Sequence, residues 1–183
     1  MCIRDRSESG RTPQALTPVE VAACLEAAMA TLRAELGALP ERVLAWHPAK
    51  DEWCAKEVVG HLIEAERRGF AGRIRIILGA DRPPLAAWDQ TEVARARHDC
   101  ARPMAALLDE LTALRRESAV LVRALRDPEL DREGQHPKVG PLRVRDLLAE
   151  WVHHDRNHIR QALANVQAYV WPAMGNSQKF SAG

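Results

Sequence analysis

Phenylalanine and tyrosine are almost missing from this chain, at two and one residues in 183. Ala, Leu and Arg dominate instead, a composition that favours helices over sheets. No apolar run approaches the roughly 18 residues needed to span a bilayer. Neither sign of charge prevails: 26 Lys and Arg face 25 Asp and Glu, and no long basic run occurs. Nothing therefore supports nucleic acid or a membrane surface as a partner. A secretory signal with an apolar h-region is also missing, and a cytoplasmic location is expected. The four cysteines, Cys2, Cys24, Cys54 and Cys100, are scattered without a CxxC pair. That spacing argues against a disulfide framework or a zinc knuckle. Cys54 reads as an ordinary half-buried thiol, since no adjacent base is evident.

What is present is helical periodicity. Thr17-Pro18-Val19-Glu20 reads as a helix start, with a Thr cap, Pro at the first position and Glu three residues after the cap. Val21, Leu25, Met29, Leu32 and Leu36 mark the apolar stripe that follows, and Gly37 and Pro40 stop it. After a loop to about Asp51, a second helix is expected from about Trp53 to Leu78, burying Val59, Leu62, Ile63, Phe70, Ile74 and Ile77. A short helix is expected between Leu85 and Arg102. The third long helix runs from Met104 to about Leu125, and Asp127-Pro128 closes it. Residues 131–142 read as a loop or tight turn, and the fourth helix occupies about Arg143 to Ala168. No strand pattern is evident. The expected fold class is all-α, a four-helix bundle with long connections. The bundle spans residues 16–172, between a disordered segment over 1–15 and a flexible tail over 173–183. Met1–Arg6 resembles a translated sequencing-library adaptor and is left out of the fold argument.

The fourth helix carries the chemistry. Val144, Leu147, Trp151, His154, His158 and Gln161 recur at three- and four-residue intervals, so metal-ligand types occupy a core-facing seam. The i, i+4 spacing stacks His154 and His158 close enough to share one ion. Two histidines rarely hold a metal alone, and residues 159–183 contain no His, Asp or Glu. A further ligand must come from upstream, which weakens any zincin-like reading of His154-Asp155-x-x-His158. His61, in the middle of the second helix beside its apolar stripe, is the better third ligand. Without a metal, paired core histidines could instead satisfy each other or backbone carbonyls. Asp155, Glu64 and Gln161 are candidates to orient the ligands. Glu64 is also a candidate fourth ligand or general base, and Glu64 and Asp155 are the candidate catalytic groups. His136 and His47 lie in loops and could reach the mouth of such a site, the alternative being simple loop packing. Trp46, Trp53, Trp88 and Trp151 read as core and loop anchors, His153 as a surface residue, and the Arg67-Arg68 and Arg115-Arg116 pairs as solvated faces.

Trp53, Glu57, Gly60-His61-Leu62 and His154-x-x-x-His158-x-x-Gln161, together with Pro83-Pro84, Trp88-Asp89, Gly134-x-His136-Pro137 and Leu147-Leu148, resemble the DinB-like superfamily of metal-binding four-helix bundles. The resemblance covers about residues 16–170. It implies a divalent ion, zinc or nickel, held by His61, His154 and His158. Some similar proteins are thiol-dependent transferases, the reaction that the resemblance slightly favours, and others are named metal-dependent hydrolases. A small-molecule substrate is implied either way, with a low-molecular-weight thiol as cofactor in the first case; homodimers are common in the family. Cys54 departs from the pattern, because relatives often place Ser or Thr there to cap the second helix. The alternative of another class is a non-catalytic, metal-stabilised binding or stress-response bundle.

Overall fold

A computed structural model of the protein describes residues 14–181. The segment expected to be disordered therefore lies outside the described residues apart from positions 14 and 15. Four long helices form the bundle. The first, α1 (Pro18–Leu36), starts at Thr17, whose hydroxyl accepts the Glu20 N–H while Glu20 Oε2 accepts the Thr17 N–H at 2.8 Å. The reciprocal pair satisfies two backbone donors that a helix start leaves free. A single turn, α2 (Glu41–Leu44), interrupts the following loop.

The second long helix is α3 (Ala55–Glu64), continuous through a π-helical segment (Ala65–Phe70) with α4 (Ala71–Gly79). A Cβ on Gly72 would stand 1.9 Å from the Arg67 carbonyl oxygen, so only glycine fits where the wide turns close. The widened turns matter because they come just after His61 and bring Phe70 flat against Trp151, with ring centroids 5.0 Å apart. The short helix α5 (Gln90–Arg97) is capped by Asp89, and a 3-10 turn (Asp99–Ala101) leads to α6 (Met104–Arg123). After α7 (Asp127–Leu130) comes the last long helix, α8 (Val144–Val170). α1 and α3 each pack against both α6 and α8. The buried stripes of α1 and of α3–α4 are those expected from periodicity. Residues 171–177 continue as 3-10 turns and α9 (Gln178–Ser181) follows, with Phe180 almost wholly exposed. No helix among the described residues is long and apolar enough to cross a membrane.

The expected absence of strands fails. The tight turn expected within residues 131–142 is there, but it joins two strands of a hairpin: β1 (Glu133–His136) pairs antiparallel with β2 (Gly140–Arg143). Four-residue strands reading EGQH and GPLR show no alternation, so periodicity cannot find them. Their partner is remote in sequence. The Leu85 N–H donates to the Gln135 carbonyl and the Gln135 N–H to that of Pro83, each at 2.8 Å. Gly134 lets Leu85 pack there, since a Cβ would stand 2.9 Å from its side chain.

Gly60 has a similar role. A Cβ there would fall 1.8 Å from Asp99 Oδ2, and Asp99 is buried between Arg97 and Arg102. Gly60→Ala would add about 1 kcal/mol of helix propensity. It would also displace a buried, doubly paired carboxylate, so a net loss of about 1–3 kcal/mol is expected. Thermal unfolding checks this; an unchanged or higher midpoint would discount the close approach.

Candidate metal centre

α3 supplies His61, and one face of α8 supplies His154 and His158, stacked a turn apart. One nitrogen from each ring lies within 4.8 Å of the others. His61 Nε2 and His154 Nε2 are 2.9 Å apart, and His158 has its centroid 4.4 Å from each of the other two rings. Gln161 Oε1 accepts from His158 Nδ1 at 2.9 Å, which turns the lone pair of that ring onto Nε2. Among the described residues no acceptor meets the buried Nδ1 atoms of His61 and His154. Packing orients those rings instead. Trp53 and Trp88 lie 5.0 and 5.8 Å from His61, and Phe70 meets His154 edge-on at 5.1 Å. The tryptophans at 53 and 88 thus frame the site besides anchoring loops.

Electrostatics keeps the three rings neutral. Burial, with His158 nearby, lowers the His61 pKa to about 3. Burial and the neighbouring imidazoles lower His154 to about 3. Burial also lowers His158, against the opposing bond from Gln161. Neutral imidazole is the form that binds metals. A tetrahedral ion with ligand bonds of about 2.0–2.1 Å needs nitrogens about 3.3 Å apart, a few tenths beyond the closest pair here. Without an ion, His61 and His154 can share a single N–H···N bond across their gap, and the third lone pair converges on the same space. The donor set fits a divalent cation.

The same shifts set the acid behaviour. Folded values near 3 lie below the ordinary imidazole value of 6.5. The unfolded chain therefore takes up protons that the fold refuses, and metal-free protein should lose stability as pH falls from about 6.5 towards 3. Denaturant midpoints across that window test this. A flat profile would contradict neutral, buried rings.

Two expected neighbours of the ion lie elsewhere. Glu64 is buried, but Arg68 Nε at 2.5 Å, Arg97 Nη1 at 2.7 Å and Arg67 Nη1 at 3.3 Å enclose its carboxylate. Burial alone would raise its pKa; Arg68 and Arg97 outweigh that and hold it low. Asp155 turns about 100° away from His154 into the core, where Arg115 Nη1 donates to its Oδ2 at 2.7 Å. Arg115 is itself buried, contrary to the solvated face expected of the Arg115-Arg116 pair. Only Gln161 of the three candidate orienting residues bonds to a triad histidine. Gln161→Ala should weaken metal affinity about 10–100-fold. Competition with a chelating indicator measures it; equal affinity would remove the assignment.

An open cavity of about 410 Å³ reaches the triad, lined by His61, His154, Trp88, Arg73, His136 and Glu150 among others. His136 therefore reaches the mouth, carried there by the hairpin. His47 does not: its Nε2 lies 2.9 Å from Glu57 Oε2 at the other end of α3. Sequence reasoning missed Arg73. Its Nε is buried without a partner among the described residues, while Nη2 donates to the Ala86 carbonyl at 3.2 Å. No spacing in the sequence marks that residue.

Comparison with known proteins follows the same lines. A family model described as the DinB superfamily matches residues 25–162. "Putative metal-dependent hydrolase OB0782" of Oceanobacillus iheyensis is 22% identical over 119 residues, covering 65% of this chain and 68% of its own. "Putative metal-dependent hydrolase BH0277" of Halalkalibacterium halodurans is 24% identical over 143 residues, covering 70% and 82%. Among solved structures, YfiT from Bacillus subtilis superposes with a TM-score of 0.78 at 18% identity, covering 88% of this chain and 94% of that one. It is described as "a probable metal-dependent hydrolase with an unusual four-helix bundle topology".

Proposed function

Because the chain belongs to the DinB superfamily, we propose that it is a metal-dependent enzyme in which His61, His154 and His158 hold one divalent ion. The observation that carries this reading is the convergence of three neutral imidazoles at the wall of an open cavity. Three protein ligands leave a coordination position free, which marks catalytic rather than structural sites. An ion bound there, zinc or nickel, supplies Lewis acidity and lowers the pKa of a water or thiol beside it.

The chain's own groups do the rest. Gln161 fixes the tautomer of His158. Trp53, Trp88 and Phe70 hold the rings and keep bulk water from their faces. Arg73, with an unpaired N–H, and His136 offer polar contacts to a small substrate across the cavity. Glu64 and Asp155 receive no role as general base, because arginines already occupy both carboxylates.

The names of the two curated relatives favour hydrolysis over thiol transfer. The test is turnover of ester, amide and electrophilic substrates, with and without low-molecular-weight thiols, before and after chelation. Chelator-sensitive hydrolysis without thiol supports the reading. Turnover that needs a thiol selects the transferase instead. Full metal occupancy with no turnover of any substrate would favour the non-catalytic, metal-stabilised bundle.

A further inference from the structure

At the opposite end of α3 from the cavity-facing turn, a second set of soft donors meets. Cys54 immediately precedes the helix and is fully buried; Cys100 sits in the 3-10 turn after α5; His47 lies exposed on the loop that enters α3. One donor atom from each lies within 4.8 Å of the others. The two sulfurs are 3.3 Å apart. That is well beyond a disulfide bond of about 2.0 Å and close to the roughly 3.8 Å between thiolates on one tetrahedral zinc.

We propose that Cys54, Cys100 and His47 form a second, thiolate-containing site for a zinc-like divalent ion. Three further observations support it. Glu57 Oε2 lies 2.9 Å from His47 Nε2, the arrangement by which a carboxylate orients a ligating imidazole. The same oxygen accepts the Cys54 N–H at 2.9 Å, so Glu57 fixes both donors relative to one another. Burial pushes the Cys54 thiol up, and the Glu57 N–H at the start of α3 opposes that shift, so the sulfur has a backbone donor ready for the thiolate that a bound ion would create. Exposure of His47 leaves one side open to solvent, where a water would complete four-coordination.

Binding converts two thiols and a neutral imidazole into a chelate and releases two protons to solvent. The chelate would clamp the loop of residues 45–54 and the turn of residues 99–101 onto the helix that carries His61. Trp53, next to Cys54, packs against both His61 and His158, so the clamp also fixes one wall of the histidine site. This site does not require the histidine triad to hold a metal.

Cadmium(II) titration of the reduced, full-length chain tests the proposal. Sulfur-to-metal charge-transfer absorption should appear and saturate at one equivalent, with about two protons released for that equivalent. The band should persist in His61→Ala, which separates this site from the triad, and vanish in Cys100→Ser, where Cys2 and Cys24 remain. His47→Ala, an exposed loop change that leaves the core intact, should weaken binding at least tenfold. Three outcomes would overturn the proposal: no charge-transfer band, a band unaffected by Cys100→Ser and His47→Ala, or a protein that takes up no sulfur-bound ion and instead closes a Cys54–Cys100 disulfide in air.

Discussion

Metal-dependent stabilisation should largely disappear in His61→Ala. In the proposed site His61 is the only ligand from α3, so its imidazole is what ties α3 to α8 through the ion. An ion at a thousandfold excess over its Kd stabilises the folded state by about 4.1 kcal/mol. Losing one of three protein ligands is expected to exceed the 10–100-fold loss seen when an outer partner is removed. At a hundredfold weaker Kd, the same ion concentration gives about 1.4 kcal/mol. For a chain of this length, the midpoint gain should drop from about 8–16 °C to about 3–6 °C. Thermal melts with and without added ion measure this, in a Cys100→Ser background so that the cysteine cluster contributes nothing. An equal gain in both proteins would remove His61 from the ligand set. The histidine pair on α8 would then stand alone.

The second large effect lies behind the site. Arg115→Met should destabilise the fold by about 3–5 kcal/mol, because it leaves two buried carboxyls without their counter-charge. Arg115 Nη1 bonds Asp155 Oδ2 at 2.7 Å, Nη2 stands 3.2 Å from Glu66 Oε2, and the guanidinium lies 5.6 Å from the centre of the Trp151 ring. Burial pushes the Glu66 carboxyl up to about 7, with Arg115 opposing. Burial also raises Asp155, again against Arg115. A carboxyl whose folded pKa is raised favours the fold below its unfolded value near 4.5, and that advantage is lost as pH rises through about 7. Removing the guanidinium raises both groups further. The penalty should therefore be larger near pH 8 than near pH 5, where both carboxyls can be protonated. Denaturant unfolding at the two pH values checks the sign. Adding Asp155→Leu to the variant should restore part of the loss, since apolar replacement of a buried pair is often neutral while Glu66 still lacks its counter-charge. A penalty that grows towards acid would contradict the assignment.

Both effects involve residues that the chain's pattern treats unequally. His154 and His158 announce themselves, because ligand types at i, i+4 on an apolar seam violate the rule that fills such positions. Gln161, one turn further along the seam, is legible for the same reason. Asp155 and Glu64 are not. Each is close in sequence to a ligand, yet the helix turns each toward arginines on other elements, Arg115 of α6 and Arg97 of α5. Arg115 read as a solvated cation because a charge pair usually is one; nothing local reveals two buried acids waiting for it. The hairpin escaped because strands of four polar and glycine-containing residues borrow their order from Pro83 and Leu85.

By itself the sequence determined four amphipathic helices, their main caps, and a stacked histidine pair facing inward. Periodicity and capping act within a few residues, so they survive without knowledge of the rest. His61 reads as the third ligand from its place on the second helix and from the family resemblance, but only the tertiary structure shows that imidazole, 93 positions earlier, meeting the pair, and it alone brought Cys54 and Cys100, with no motif spacing between them, within 3.3 Å. Those meetings depend on how helices cross and how long connections close, and no local pattern carries that information.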